Sequence, residues 1–476
     1  MCLAVGSLGC AASQVVPKFV DPALLSTLDG VCAGRGDALC KRLRDANAAA
    51  PGEPQARAFR AALAEAARVI REKKREAALT DPALRYLARE RWMALLVRHT
   101  LEAADPNAPL PGDPAQYAAA AERAIRRLYP AYGELAPDVF RLARVPLAPA
   151  KSDCGGVVVF FPGVVRVSTG DEFELTARKL VAALPCLAWR RAETSTFVDP
   201  ALNARAGCKV VSELPPGAPL HLVGYSQGSR NALQTLVDCD SAKGRVRSLL
   251  SIDSAAHGSP VADLVALSRD LETEEKCADR TNFLSRWWCD ASNWWGSQLT
   301  SLGINALDAF GMDEDDLRRV REHEGIDENT PVQEVLSLRA NGIRSLSTYE
   351  SNTFWASRAG ELPRNVLYVS SRAMITDLDA NLPDSNESFF EILSRAGGAS
   401  PWNDMQVRMV DQRLGPPLHD LEVVSPAAEG NHWQWALEAH QVPAALMPKA
   451  MFAHIPRAEL VIAHFETLGE LGLLAK

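Results

Sequence analysis

The chain has 476 residues, 47% of them hydrophobic and 23% charged, a balance close to globular averages that leaves material for a large core and, at ~150 residues per domain, for more than one domain. A net charge of −8 without a long Lys/Arg run argues against nucleic acid as a partner. No apolar run reaches the roughly 18 residues that would mark a membrane-spanning helix. The ten cysteines form no C-x-x-C pair, so zinc is disfavoured, and neither a metal nor a cofactor is expected. Their even number and wide spacing suit disulfides in an oxidising compartment.

In chain order, residues 1–12 are small and apolar and residues 13–150 read as a helical N-terminal domain. The stretch from Glu53 to Lys74 repeats apolar residues at helical spacing, Asp81-Pro82 opens a second helix through Trp92 and Leu96, and a third runs from Pro114 to about Tyr129. This region reads either as helical packing or as a surface for a membrane or partner.

The pattern changes at Cys154. Val157 to Phe161 is a continuous apolar run, as a buried parallel strand requires. A helix follows over Asp171–Leu184, and further strands are expected at Cys186–Trp189, Leu220–Tyr225, Val246–Ile252, Val366–Val369 and Leu421–Val424. Strand–helix alternation implies an α/β fold over residues 151–476, with a mainly parallel sheet and helices on both faces. An insert at about 265–362 interrupts it as a helical cap. There Trp287/Trp294 and Trp288/Trp295 are each seven apart and would load one helix face with aromatic bulk. A second insert spans about Asp379 to Ser400.

The chemistry is carried by Gly224-Tyr225-Ser226-Gln227-Gly228, which follows an apolar strand and precedes a helix-compatible run. A G-x-S-x-G turn in that setting crowds its own backbone, so glycines two before and two after Ser226 remove side chains that would collide. Ser226 is then an exposed nucleophile at the head of a helix whose first amides face the same spot. A serine hydroxyl needs a base held by a carboxylate, and donors for the oxyanion. The amide of Gln227 is one donor. The turn Phe161-Pro162-Gly163-Val164 offers the amide of Val164 as the other, since glycine permits close approach.

With this elbow the chain order is serine, acid, histidine. His432, in the loop after the last strand, is the expected base; His257 comes too early, and His440, His454 and His464 fall in later structural stretches. Three acids remain open: Asp404 in Asn403-Asp404-Met405, Asp253 at the end of the Val246 strand, and Asp377 after the Val366 strand, in that order of preference.

These residues resemble the α/β-hydrolase superfamily, in particular bacterial triacylglycerol lipases and esterases. The elbow carries the resemblance, with Ser254 to Asp263, the passage from Ser345 to Ser370, and Asn403-Asp404, where Met405 stands in place of the usual glycine. The oxyanion turn has Pro162 where histidine is common, and no Asp follows His432 in Trp433-Gln434-Trp435, so calcium is not carried over. The resemblance implies acyl transfer to water through a Ser226–His432–Asp404 triad on an ester or lipid substrate. A thioesterase or amidase would use the same groups, and a catalytically dead hydrolase-fold binding protein would lack the nucleophile or base.

The fold also makes the strands after Cys154 and Cys186 parallel neighbours, which implies a Cys154–Cys186 disulfide. Cys32–Cys40 and Cys277–Cys289 are local pairs, leaving Cys208–Cys239. Leu8-Gly9-Cys10-Ala11 looks like the tail of a lipoprotein signal with Cys10 lipidated, or it is an ordinary apolar N-terminus. Export is expected, to the periplasm, the outer membrane or the medium, with membrane contact through the cap or an N-terminal lipid.

Overall fold

The computed structural model describes residues 27–73, 75–132, 139–150, 154–163, 173–194, 199–260, 262–263, 344–377, 402–432 and 456–474, with residues 318, 321, 327, 329, 394 and 434. Among the described residues, six α-helices precede the sheet: α1 (Leu28–Val31), α2 (Ala38–Ala48), α3 (Glu53–Glu72), α4 (Arg75–Leu79), α5 (Pro82–Ala104) and α6 (Pro114–Leu128). The starts of α5 and α6 follow their chemistry. Asp81 and Asp113 accept first-turn amides and a proline follows each, where its missing N–H costs nothing.

The sheet strands are β1 (Gly156–Phe161), β2 (Leu187–Arg191), β3 (Leu220–Tyr225), β4 (Val246–Ile252), β5 (Leu367–Met374) and β6 (Glu422–Glu429). Helices α7 (Glu174–Ala183), α8 (Pro200–Glu213), α9 (Gln227–Asp238), α10 (Thr348–Ser357) and α11 (Arg457–Glu470) complete the framework. All strand pairs are parallel, in the order β2-β1-β3-β4-β5-β6. Two strands run beyond expectation, β5 to Met374 and β6 to Glu429. Pro426 lies in β6, and the register shifts there between Ser370 and Arg372. The Ser425 hydroxyl takes the Arg372 amide instead of a backbone carbonyl.

Both sheet faces are covered. Side chains alternate, and register partners share a face. Phe160 stacks on Phe173, just before α7, and His221, on the same face, meets Phe465 of α11 at 5.5 Å. Phe161 points the other way, toward Gly207 of α8 and Thr235 of α9, where a Cβ on Gly207 would come within 3.0 Å of its ring. This is the α/β-hydrolase fold, with the parallel sheet and two helical layers that the sequence implies.

The N-terminal helices lie against the β6 edge and α11 and share one hydrophobic core with the sheet. Tyr132 Oη accepts the Ala427 amide of β6 at 2.8 Å. Arg91 of α5 makes a two-pronged ion pair with Glu470 of α11 at 2.8 Å, both groups buried, and also donates to the carbonyls of Leu147 and Ala148. Trp92 Nε1 donates to the Leu460 carbonyl at 3.1 Å. A desolvated pair with its remaining donors satisfied specifies one docking geometry for these helices.

Disulfides join Cys32 to Cys40 and Cys154 to Cys186, the second across the parallel starts of β1 and β2. The Cys208–Cys239 pairing does not occur: both are free thiols. The Cys239 sulfur, at the residue that caps α9, sits 3.1 Å from the Ser241 hydroxyl in the turn that follows. Residues 1–26 with Cys10, the pair Cys277 and Cys289, the four cap tryptophans and most of both inserts lie outside the described residues.

Candidate active site

The strand order sets the location. The chain crosses from β1 to β2 on one side and continues from β3 on the other, so β1 and β3 flank a topological switch point, and in open α/β sheets ligands bind outside the strands' carboxyl ends at such a point. Ser226 follows β3 directly and Gly163 follows β1 by two residues.

Ser226 has φ 51 and ψ −123, a backbone that side-chain-bearing residues rarely adopt. Neighbouring atoms show why glycines flank it. A Cβ on Gly228 would lie 1.9 Å from the Phe161 carbonyl oxygen, and one on Gly224 would lie 2.5 Å from Ser229 Cα. A Cβ on Gly163 would meet the Tyr225 ring at 2.7 Å and Ser226 Cβ at 3.2 Å, so the turn after β1 lies against the serine. Gln227 opens α9, so its amide belongs to the first turn, where an α-helix directs N–H groups outward. Val164 lies outside the described residues.

His432 brings its Nε2 within 2.8 Å of Ser226 Oγ and its Nδ1 within 2.7 Å of Asp404 Oδ2. Ser226, His432 and Asp404 are 3%, 1% and 0% exposed, so these bonds face no competition from water. A carboxylate only accepts, so Nδ1 carries the ring proton and Nε2 is left to accept from the serine hydroxyl. Such a series can take a proton from the hydroxyl as it attacks and stabilise the imidazolium that results.

Two local devices hold the histidine. Asn431 and Gln434 cap each other: the Gln434 amide donates to Asn431 Oδ1 at 3.0 Å, and the Asn431 amide donates to Gln434 Oε1 at 2.7 Å. This reciprocal cap seats His432 at the head of a helical turn. Its sequence signal is Asn431-x-x-Gln434, two side chains at capping-box spacing around His432. The Tyr225 hydroxyl donates to the His432 carbonyl at 2.8 Å, giving the variable residue of the elbow a positioning role.

The carboxylate is held from four sides. Asp404 Oδ1 accepts the amides of Gln406 at 2.9 Å and Val407 at 2.6 Å, while Oδ2 accepts His432 Nδ1 and, at 3.1 Å, Gln412 Nε2. Gln412 also exchanges hydrogen bonds with the backbone of Ala373 in β5. It thereby ties the acid to the sheet, and nothing local in the sequence points to it. Met405, which stands where the resemblance places glycine, has φ 84.

Of the other two acids, Asp377 is exposed beyond β5, and its amide is held by Glu429. Asp253 is buried beside the series: oxygens of Asp253 and Asp404 and a ring nitrogen of His432 lie within 4.8 Å of one another. Burial, and next the Asp404 charge, push the Asp253 carboxyl well above its usual range. Of the rejected histidines, His257 stacks on Trp355 at 4.9 Å and burial pulls it down to about 4. His464 is buried in α11 against Trp92.

No family model matches the chain, and no curated protein sequence does. Among solved structures it is similar to a metagenomic carboxyl esterase, 18% identical, covering 80% of this chain and 91% of that one with a TM-score of 0.49. It is also similar to a Bacillus licheniformis lipase in mature form, 15% identical over 60% of this chain and 87% of that one, TM-score 0.33. Lipase 1 from Pelosinus fermentans is 13% identical over 54% of this chain and 84% of that one, TM-score 0.34. The α/β-hydrolase fold of the chain rests on the strand order and on the turn that carries Ser226.

Proposed function

We propose that the protein is a serine hydrolase of carboxylic esters, with Ser226 as nucleophile, His432 as base and Asp404 as acid. The observation that carries this reading is the buried series Ser226 Oγ, His432 Nε2 and Nδ1, Asp404 Oδ2, with both links under 3 Å. Ser226 attacks the acyl carbonyl as its proton passes to His432 Nε2, and the imidazolium forms against a carboxylate already held by three other donors. The oxyanion is assigned to the amides of Gln227 and Val164. His432 then protonates the leaving alcohol, and water repeats the cycle on the acyl-enzyme. Thioesters and activated amides would enter the same cycle.

The aromatic insert favours acyl chains or a lipid surface as the contact, and the two disulfides favour an exported protein. The test is turnover of p-nitrophenyl esters over a range of chain lengths. We expect turnover to drop about 10⁶-fold in Ser226→Ala. No turnover in the wild type, or equal turnover in the variant, would overturn the reading. A long-chain optimum identifies a lipase, a short-chain optimum an esterase.

A further inference from the structure

Asp253 is a buried acid that the proposed cycle does not use. It follows β4 directly, is 1% exposed, and neither carboxyl oxygen has a hydrogen-bond partner. The Ala373 amide lies near enough to favour its charged form slightly, but that proton is given to Gln412 Oε1 at 2.7 Å. Asp404 cannot tie it down either, because the four acceptor positions of that carboxylate are filled. A carboxyl so placed is favoured as the neutral acid, and the charge that bears on it is that of Asp404. A group able to become a cation lies beside it: a ring nitrogen of His432 is within the same 4.8 Å cluster.

We propose that Asp253 is a reserve acid for His432, idle while Asp404 holds its charge and recruited to support the imidazolium when Asp404 cannot. This rests on the reading above, in which His432 is the base. With the Asp404 charge gone, burial alone is left to favour the neutral form of Asp253. Its proton then passes to solvent as the pH rises, leaving a carboxylate against the imidazolium. The titratable groups facing it are Asp404, from the loop after β5, and His432, after β6; on β5, Arg372 is engaged with the Ser425 carbonyl.

A plainer account is that φ 47 selects Asp at this position, since Asp and Asn tolerate a left-handed backbone. Asparagine satisfies that backbone equally well and cannot ionise, which separates the two accounts. The experiment compares kcat against pH for the wild type, Asp404→Asn, and the double variant Asp404→Asn/Asp253→Asn, with folding checked by thermal melting. Asp404→Asn should lose activity at neutral pH and recover it on an alkaline limb, exceeding the double variant there by about tenfold or more. The double variant should stay flat near the ~10⁴-fold loss typical of a serine hydrolase without its acid. Coincident profiles for an impaired single and the double variant would overturn the proposal and leave the triad reading standing. An Asp404→Asn enzyme with wild-type kcat would overturn the triad reading itself. Independently of turnover, the infrared band of a protonated carboxyl at pH 7 should weaken in Asp253→Asn, and an unchanged band would also refute the idle acid.

Discussion

The turn after β3 and the loop after β5 face the same histidine, and both use backbone that side chains disfavour. Ser226 has φ 51 and Met405 has φ 84. At the first, the constraint is met within five residues, because Gly224 and Gly228 clear the space that backbone atoms of β1 and α9 occupy. At the second, no glycine is present. Met405 is held in place by a buried side chain and by the Asn403 Oδ1 that accepts its amide at 2.8 Å. The first is a local steric device; the second is a local strain of ~1–2 kcal/mol borne by tertiary packing. A local device leaves a motif in the sequence, whereas a strain carried by tertiary contacts leaves almost none.

The nucleophile side should be the acid-labile one. His221 of β3 and His464 of α11 are buried, and burial pulls both from an ordinary 6.5 down to about 3. Unfolding lets each bind a proton that the folded state refuses. The stability is therefore complete above pH 6.5 and lost as pH falls toward 3, with a ceiling of about 5 kcal/mol per histidine. Urea midpoints at pH 7 and pH 4 should fall steeply in the wild type and clearly less in His464→Phe. An identical fall in both would remove this histidine from the account.

Gly228→Ala is the next largest effect. Its Cβ would meet two backbone carbonyls of the β1 end, at 1.9 and 2.5 Å, and no side chain can rotate away to make room. We expect a loss of roughly 4 kcal/mol or more, together with turnover. Wild-type stability in this variant would break the contrast, because the turn would then not be sterically fixed.

Gln412→Leu tests the acid side at a residue remote from the chemistry. It strips Asp404 of one donor and leaves the Ala373 amide and carbonyl without their partner, at a cost of about 1–3 kcal/mol each. The kcat should fall about tenfold or more with KM little changed, since Gln412 is fully buried behind Asp404. A change in KM alone would place Gln412 at the substrate instead.

Met405→Gly is the smallest and weighs two opposed terms. Glycine relieves ~1–2 kcal/mol of strain, but removing the buried thioether side chain costs ~2–3 kcal/mol. The variant should be destabilised by about 1 kcal/mol in urea. A stabilised variant would mean that the backbone strain outweighs the packing and would narrow the contrast between the two loops.

The sheet strands and the elbow were legible because each is a short-range pattern, and His432 was singled out by its place in chain order after the last strand. Apolar runs such as Val157 to Phe161 bury on both faces, and Gly-x-Ser-x-Gly relieves a collision among near neighbours. The extra length of β5 and β6 was not legible, because Arg372 and Pro426 interrupt the apolar runs, and the Ser425 hydroxyl and carbonyl that accept from Arg372 belong to the neighbouring strand. Among the acids, sequence order left three alternatives. They are separated only by where the chain returns in space: Asp377 at the surface, Asp253 buried without a partner, Asp404 at the crossing of two loops and Gln412. Ser226 and its turn were determined by sequence alone, since a steric requirement between adjacent residues is written in their identities. The hydrogen-bond partners of a carboxylate come from distant segments, so only the tertiary structure decided which acid faces His432 and which one waits beside it.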